Sequence, residues 1–263
     1  MSVIAARMQL TELHDQGWFP HALREGLTDA LQSILNWGAV YAPIAPRLGR
    51  AIAVSGARRV VDLCSGGGGP WPWLRRSIEA QNGAALEICL TDKYPNVGAF
   101  ERARAASGGA IGYCAESVDA ARVPAKLSGL RTMFTSVHHF RPEEVVAMLQ
   151  DAANRRQGIA MFDTATRHPL TIALTCVVPV AALLVTPFLR PFRWPRIFWT
   201  YVIPVIPLAL WIDGIVSCLR AYSPAELREM TVRISAPGYT WEIGEESGIR
   251  GLLPVTYLVG YPT

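Results

Sequence analysis

Between Arg59 and Pro70 the chain runs Val60-Val61-Asp62-Leu63-Cys64-Ser65 and then four consecutive glycines, Gly66 to Gly69. A β-branched pair closing on an acid reads as a short buried strand of a parallel sheet. Glycines at its carboxyl end permit a tight turn and let a ligand approach the backbone with no Cβ between them. In an open α/β sheet that edge is where ligands bind. The spacing excludes the dinucleotide fingerprint G-x-G-x-x-G, because the third glycine position counted from Gly66 holds Trp71, and counting from Gly67 or Gly69 does no better.

The 263 residues suffice for one large α/β domain with an insertion, or for two small domains. A net charge of +4, carried by scattered arginines with no basic run, does not point to a nucleic-acid binder, and none is expected as partner. Only 17% of residues are charged, and the apolar excess is concentrated between Leu170 and Leu219. The five cysteines (Cys64, Cys89, Cys114, Cys176 and Cys218) are widely spaced, so neither a zinc site nor a disulfide framework follows, and no metal is expected. No apolar run precedes Trp18, so a signal peptide is not expected and a cytoplasmic location is the default.

Residues 1–20 carry little pattern. Apolar residues from Ala22 to Val40 recur at helical intervals, giving a helix over His21 to about Ala42 that Pro43 and Pro46 end. Trp18, Trp37 and Tyr41 either face the ligand edge or pack as plain core. After the glycines, Trp71-Pro72 begins a helix. Further strands are read at Leu86–Asp92, Ala110–Cys114, Leu130–Val137 and Ile159–Asp163, separated by helices that include one opened by Pro142-Glu143-Glu144. Five strands alternating with helices give a doubly wound, mostly parallel α/β sheet.

Asp62, Cys64, Gly66 and Gly68 make the pattern D-x-(G/C)-x-G-x-G, which resembles motif I of the class I S-adenosylmethionine (SAM) dependent methyltransferases, with Cys64 in place of the usual first glycine. A fourth strand ending in Ser136-Val137-His138-His139-Phe140 before the Pro-Glu-Glu helix also resembles small-molecule members of that family. The resemblance implies SAM as cofactor and a seven-stranded sheet closed by a terminal antiparallel hairpin. Tyr239–Gly244 and Pro254–Tyr261 would supply that hairpin, after a helix capped by Ser223 and Glu226. It assigns the ribose-binding acid to Asp92, where a carboxylate can accept both ribose hydroxyls, against the alternative of a turn or helix-cap acid. It gives the adenine side to Asp119, and the rest of the cofactor set to Asp62, Cys64, Ser65, Gly66, Gly68, Lys93 and Ser136.

What the resemblance leaves over is the segment between Asp163 and Tyr222. Pro169 to Leu189 is an almost unbroken apolar run, nominally long enough to span a bilayer, and Ile197 to Ile212 is a shorter one. Arg190, Arg193 and Arg196 lie between them, and translocating that basic loop runs against the tendency of such loops to stay cytoplasmic. Prolines 179, 187, 191, 195, 204 and 207 are expected to break both runs into short helices. That suits a re-entrant or interfacial element, with arginines at the headgroups and Trp194, Trp199 and Trp211 at the boundary. The alternative is a cap whose helices bury one another over the site. The resulting organisation is a helical lead-in (1–50), a core (51–168), the insertion (169–219) and a completing helix and hairpin (220–263).

An insertion leaving the carboxyl end of the fifth strand lies over the substrate side, so the acceptor is expected to be a hydrophobic small molecule or lipid. Deprotonating an acceptor hydroxyl requires a base, and His138 and His139 are the candidates, because imidazole titrates near neutral pH. Their alternative roles are core packing and backbone hydrogen bonding. Asp163 and Asp213 are lesser candidates, the latter with Arg220 as its expected partner. A competing functional class is a membrane-associated binding or scaffold protein that keeps the sheet without turnover.

Overall fold

The computed structural model describes residues 6–248 and 253–263. The chain opens with α1 (His21–Trp37) and α2 (Ala45–Ser55). There follow β1 (Arg59–Leu63), α3 (Trp71–Asn82), β2 (Glu87–Leu90), α4 (Val97–Ala106), β3 (Ile111–Tyr113), β4 (Leu130–Phe134), α5 (Pro142–Asn154) and β5 (Ile159–Asp163). The insertion contributes α6 (Pro169–Leu174), α7 (Val178–Val185), α8 (Trp194–Ile197) and α9 (Val205–Arg220). α10 (Pro224–Val232), β6 (Tyr239–Glu246) and β7 (Val255–Pro262) complete the chain.

The seven strands form one sheet in the order β3-β2-β1-β4-β5-β7-β6, with β7 antiparallel to both its neighbours and the other pairings parallel. This is the class I methyltransferase fold. β1 and β4 are adjacent although two strands and their helices separate them in sequence, so the strand order reverses at the end of β1, beside the glycine turn. One face of the sheet buries Leu48, Ile52, Leu74, Ile78 and Phe100 from α2, α3 and α4; the other buries Val145, Met148, Leu149, Leu227 and Met230 from α5 and α10. α10 starts as its sequence demands, with Ser223 Oγ accepting from the Glu226 N–H and the Glu226 carboxylate accepting from the Ser223 N–H at 2.8 Å.

Two elements, α1 and β4, end well before the sequence expectation. α1 stops at Trp37 instead of near Ala42, because Ala39 takes φ 47° and turns the chain back, a conformation its sequence does not announce. Pro43 and Pro46 accordingly start the next helical segments, at their first turns. β4 ends at Phe134, where Thr135 at φ 47° redirects the backbone, and both histidines fall on a 3-10 turn, Val137–His139.

The insertion is less broken than its prolines suggest. The chain stays helical from Pro169 to Phe188, with 3-10 turns absorbing Pro179 and Pro187 at helix starts. The second run does break, bending by 72° between Trp194–Val202 and Val205–Arg220. Pro207 is accommodated in the first turn of α9, where backbone N–H groups have no intrahelical partner to lose. Ala182, Val185, Ile206, Ala209 and Leu210 pack against Leu23, Leu27 and Ala30 of α1, so one side of the insertion has a core of its own.

Candidate active site at the strand ends

Asp62 closes β1 fully buried: Oδ2 accepts from Ser65 Oγ at 2.7 Å and Oδ1 from Thr132 Oγ1 at 2.6 Å. Burial pushes its carboxyl up to about 6, against the opposing hydrogen bonds of Ser65 and Thr132. Cys64 then takes φ 55° in the left-handed region usually left to glycine, and Gly66, Gly68 and Gly69 also have positive φ. The Cys64 thiol is pushed well above its ordinary value by burial, then by the charges of Asp92 and Asp62, so it offers no thiolate. A Cβ on Gly67 would lie 2.0 Å from Gln32 Oε1, so the Gln32 side chain would have to swing aside, and 3.4 Å from the Thr28 carbonyl of α1.

Asp92 follows β2 and ties the two strand ends together. Its Oδ2 accepts from the Gly66 N–H and its Oδ1 from the Tyr94 N–H, both at 2.8 Å. A carboxylate has about four acceptor positions, so capacity remains for hydroxyl donors. Asp119 caps the turn Ala120–Arg122 by accepting from the Ala121 N–H at 2.9 Å. Ser136 Oγ is buried and, among the described residues, has no hydrogen-bond partner.

Cys64, Ser65, Gly66, Asp92, Lys93, Asp119, Ser136 and His139 line one cavity of about 470 Å³ at the carboxyl ends of the strands. Asp62, Gly68 and His138 do not line it. The volume falls within the range of small-molecule sites. Of the three aromatic residues before the sheet, Tyr41 is buried at the cavity wall and bonded to Thr135 Oγ1, whereas Trp18 and Trp37 point to solvent.

The adjacent histidines are separated by the 3-10 turn that carries them. His138 is buried, with Nδ1 2.6 Å from Asp163 Oδ2 and Nε2 3.5 Å from Glu12 Oε1. Burial alone would lower its pKa, but the charges of Asp163 and Glu12 and the Asp163 hydrogen bond raise it. His139 reaches the cavity, with Nδ1 2.9 Å from Asp15 Oδ2; among the described residues its Nε2 has no hydrogen-bond partner. Asp15 is held well below the usual carboxylate range: burial opposes this, and the His139 hydrogen bond and charge, with His14 and Arg220, outweigh it. Arg220 braces the turn by donating to the carbonyls of His138 at 3.1 Å and His139 at 2.6 Å, and also pairs with Asp15 and Glu12.

Residues 6–20, patternless in the sequence, form a strap over this cavity. Asp213 is its anchor: it accepts from the Leu13 N–H at 2.8 Å and the His14 N–H at 3.3 Å, and lies 2.8 Å from His14 Nδ1. The expected Asp213–Arg220 pair is therefore replaced, because α9 turns Arg220 toward Glu12 and Asp15. The fold also brings Glu12, His138 and His139 ligand atoms within 4.8 Å of one another, with the Arg220 guanidinium supplying positive charge beside Glu12.

The strap is expected to loosen with rising pH. Burial lowers the His14 pKa, and the Asp213 hydrogen bond with the charges of Glu12, Asp15 and Asp213 more than reverses this, raising it to about 9. A folded pKa above the unfolded value contributes stability that is complete below about pH 6.5 and lost as pH rises through about 9. Thermal melts from about pH 6 to 10 should show the wild type losing its advantage over His14→Gln across that window. A difference independent of pH would contradict a titrating strap.

No protein-family model and no curated protein sequence matches the chain. Among solved structures it is similar to human N-acetylserotonin methyltransferase in complex with SAM, with 12% identity and a TM-score of 0.49, covering 89% of this chain and 55% of that one. It is also similar to mitomycin 7-O-methyltransferase, with 15% identity and a TM-score of 0.49, covering 86% and 55%. A third is magnesium protoporphyrin IX methyltransferase from Synechocystis with bound S-adenosylhomocysteine, with 14% identity and a TM-score of 0.47, covering 89% and 98%. The chain thus spans about half the length of the first two.

Proposed function

We propose that this chain is a SAM-dependent methyltransferase acting on a hydrophobic small-molecule or lipid acceptor at a membrane surface. One observation carries the reading: the Gly66–Asp92 junction and the Asp15–His139 pair open into the same cavity. Bound there, SAM supplies an electrophilic sulfonium methyl group. The residues present fit an adenosyl ligand: Asp92 has acceptor capacity for ribose hydroxyls, the glycine turn lets the backbone approach closely, and Ser136 Oγ is a buried polar atom without a partner among the described residues. Lys93 and Asp119 complete the adenosyl side of the proposed set, and Asp62 holds the turn from behind.

Transfer to an oxygen acceptor forms a C–O bond as the S–C bond breaks, and the hydroxyl proton must leave. His139 Nε2 receives it, and Asp15, paired to Nδ1, stabilises the imidazolium and fixes the ring. The strap and Tyr41 form part of the cavity wall and would shield a bound acceptor from water on those sides, strengthening these electrostatic interactions. His138, buried against Asp163, positions the turn.

The membrane part of the reading is supported by the helical stretch Pro169–Phe188, whose mean hydropathy is 2.2 and of which 28% is buried. Val177, Val180, Leu184, Phe188, Phe192 and Trp194 are all exposed. A patch of that kind marks an interaction surface. α7 also packs on α1 and α9, so we read the insertion as lying on the cytoplasmic face of a membrane and not crossing it. Incubation with methyl-tritiated SAM and hydrophobic phenols or a lipid extract should move label into the organic phase. Label retained in the aqueous phase across such acceptors would overturn the reading in favour of binding without turnover.

A further inference from the structure

We propose that a second cleft, at the edge of the insertion, binds the phosphate headgroup of an anionic phospholipid; the proposal rests on the membrane reading above. The cleft has a volume of about 310 Å³ and lies between α1, α4 and the chain leaving α7. Arg102 on α4 and Arg190 beyond α7 line it. Arg190 is exposed and, among the described residues, makes no hydrogen bond or ion pair. A side-chain carbon at Gly98 would lie 3.4 Å from Arg193 Nη2 and 3.5 Å from Arg102 Nη1, so these two guanidinium groups converge over the first turn of α4.

The charge balance favours an anion. Arg196, expected at the headgroups, is buried and pairs with Asp29 at 3.1 Å, while also donating to the carbonyls of Leu189 and Pro191. Arg193 pairs with Glu25 at 2.6 Å. Asp29, the acid inside the cleft, is thus engaged by Arg196, by Asn96 Nδ2 at 3.3 Å and more distantly by Arg102 at 3.6 Å. Four arginines against two carboxylates leave an excess of two positive charges, and Arg102 and Arg190 are the ones turned to the opening.

The apolar surroundings select a lipid as the carrier of that anion. Trp37 and Phe188 stand at the mouth 63% and 66% exposed, with ring centroids 5.9 Å apart. Phe188 continues the exposed row Val180, Leu184 and Phe188, spaced four residues apart on one side of the helix. A cationic cleft where an apolar face meets an exposed tryptophan matches the level of phosphates at a membrane interface. An excess of two positive charges around the cleft favours a net anionic headgroup over a zwitterionic one.

Flotation of the full chain with phosphatidylcholine vesicles, with and without about 20 mol% phosphatidylglycerol, tests this. The wild type should bind the anionic vesicles roughly ten-fold or more tightly. The double variant Arg102→Gln/Arg190→Gln should lose that preference and keep its affinity for neutral vesicles. Arg58→Gln/Arg76→Gln, an equal charge change at exposed positions elsewhere, should retain it. Equal loss in both variants, or equal binding of both vesicles by the wild type, overturns the headgroup site while the membrane reading stands. Binding to neither vesicle overturns both. Saturable calorimetric binding of glycerol phosphate at micromolar affinity would assign the cleft to a soluble phosphate ester and overturn the lipid.

Discussion

Replacing His139 with glutamine is expected to lower the methyl-transfer rate by roughly 10²- to 10⁴-fold, the range for losing a general base, and to leave S-adenosylhomocysteine affinity within about two-fold. The expectation rests on the division of labour at the 3-10 turn. His139 reaches the cavity and is oriented through Nδ1 by Asp15, whereas His138 is enclosed by Asp163 and Glu12. Glutamine keeps a polar side chain but cannot take up the proton. His138→Gln should instead show mainly as lost stability, because it removes the imidazole from the buried Asp163 Oδ2 and leaves the carboxylate only the Ala165 N–H at Oδ1. Single-turnover rates with thermal melts separate the two. Full activity of the His139 variant, with loss confined to the His138 variant, would reverse the assignment.

The second large effect is at the cofactor. Asp92→Ala is expected to weaken S-adenosylhomocysteine binding by roughly 10²- to 10⁴-fold, the equivalent of two charge-assisted hydrogen bonds. The carboxylate also receives the Gly66 N–H, so its loss frees the glycine turn as well. Asp92→Asn separates these contributions: its amide oxygen can still accept from Gly66, and an intermediate affinity is expected. Unchanged affinity in Asp92→Ala would remove the ribose assignment.

What could be read from the sequence is what local chemistry determines. The β1 strand and its turn are announced by an apolar run and four glycines, β5 by an apolar run ending in Asp163, and α10 by the Ser223–Glu226 capping box. The end of α1 depends on Ala39 adopting positive φ, which alanine does not signal. The strap was invisible because its contacts are distant in sequence: Leu13 with Asp213, His14 with Asp213, Asp15 with His139. Glu12, His14 and Asp15 stand close together in the chain, but no periodicity marks a segment held by side chains from α9 and the 3-10 turn. The unequal positions of His138 and His139 follow from the rotation between consecutive residues of that turn, which adjacency in sequence cannot show.

Calorimetric titration of the detergent-purified chain with S-adenosylhomocysteine tests the central claim most directly. Saturable binding at one site is expected, weakened by roughly 10²- to 10⁴-fold in Asp92→Ala and retained in His139→Gln. Absence of binding by the folded wild-type chain would contradict the claim that the cavity at the ends of β1, β2 and β4 is a SAM site.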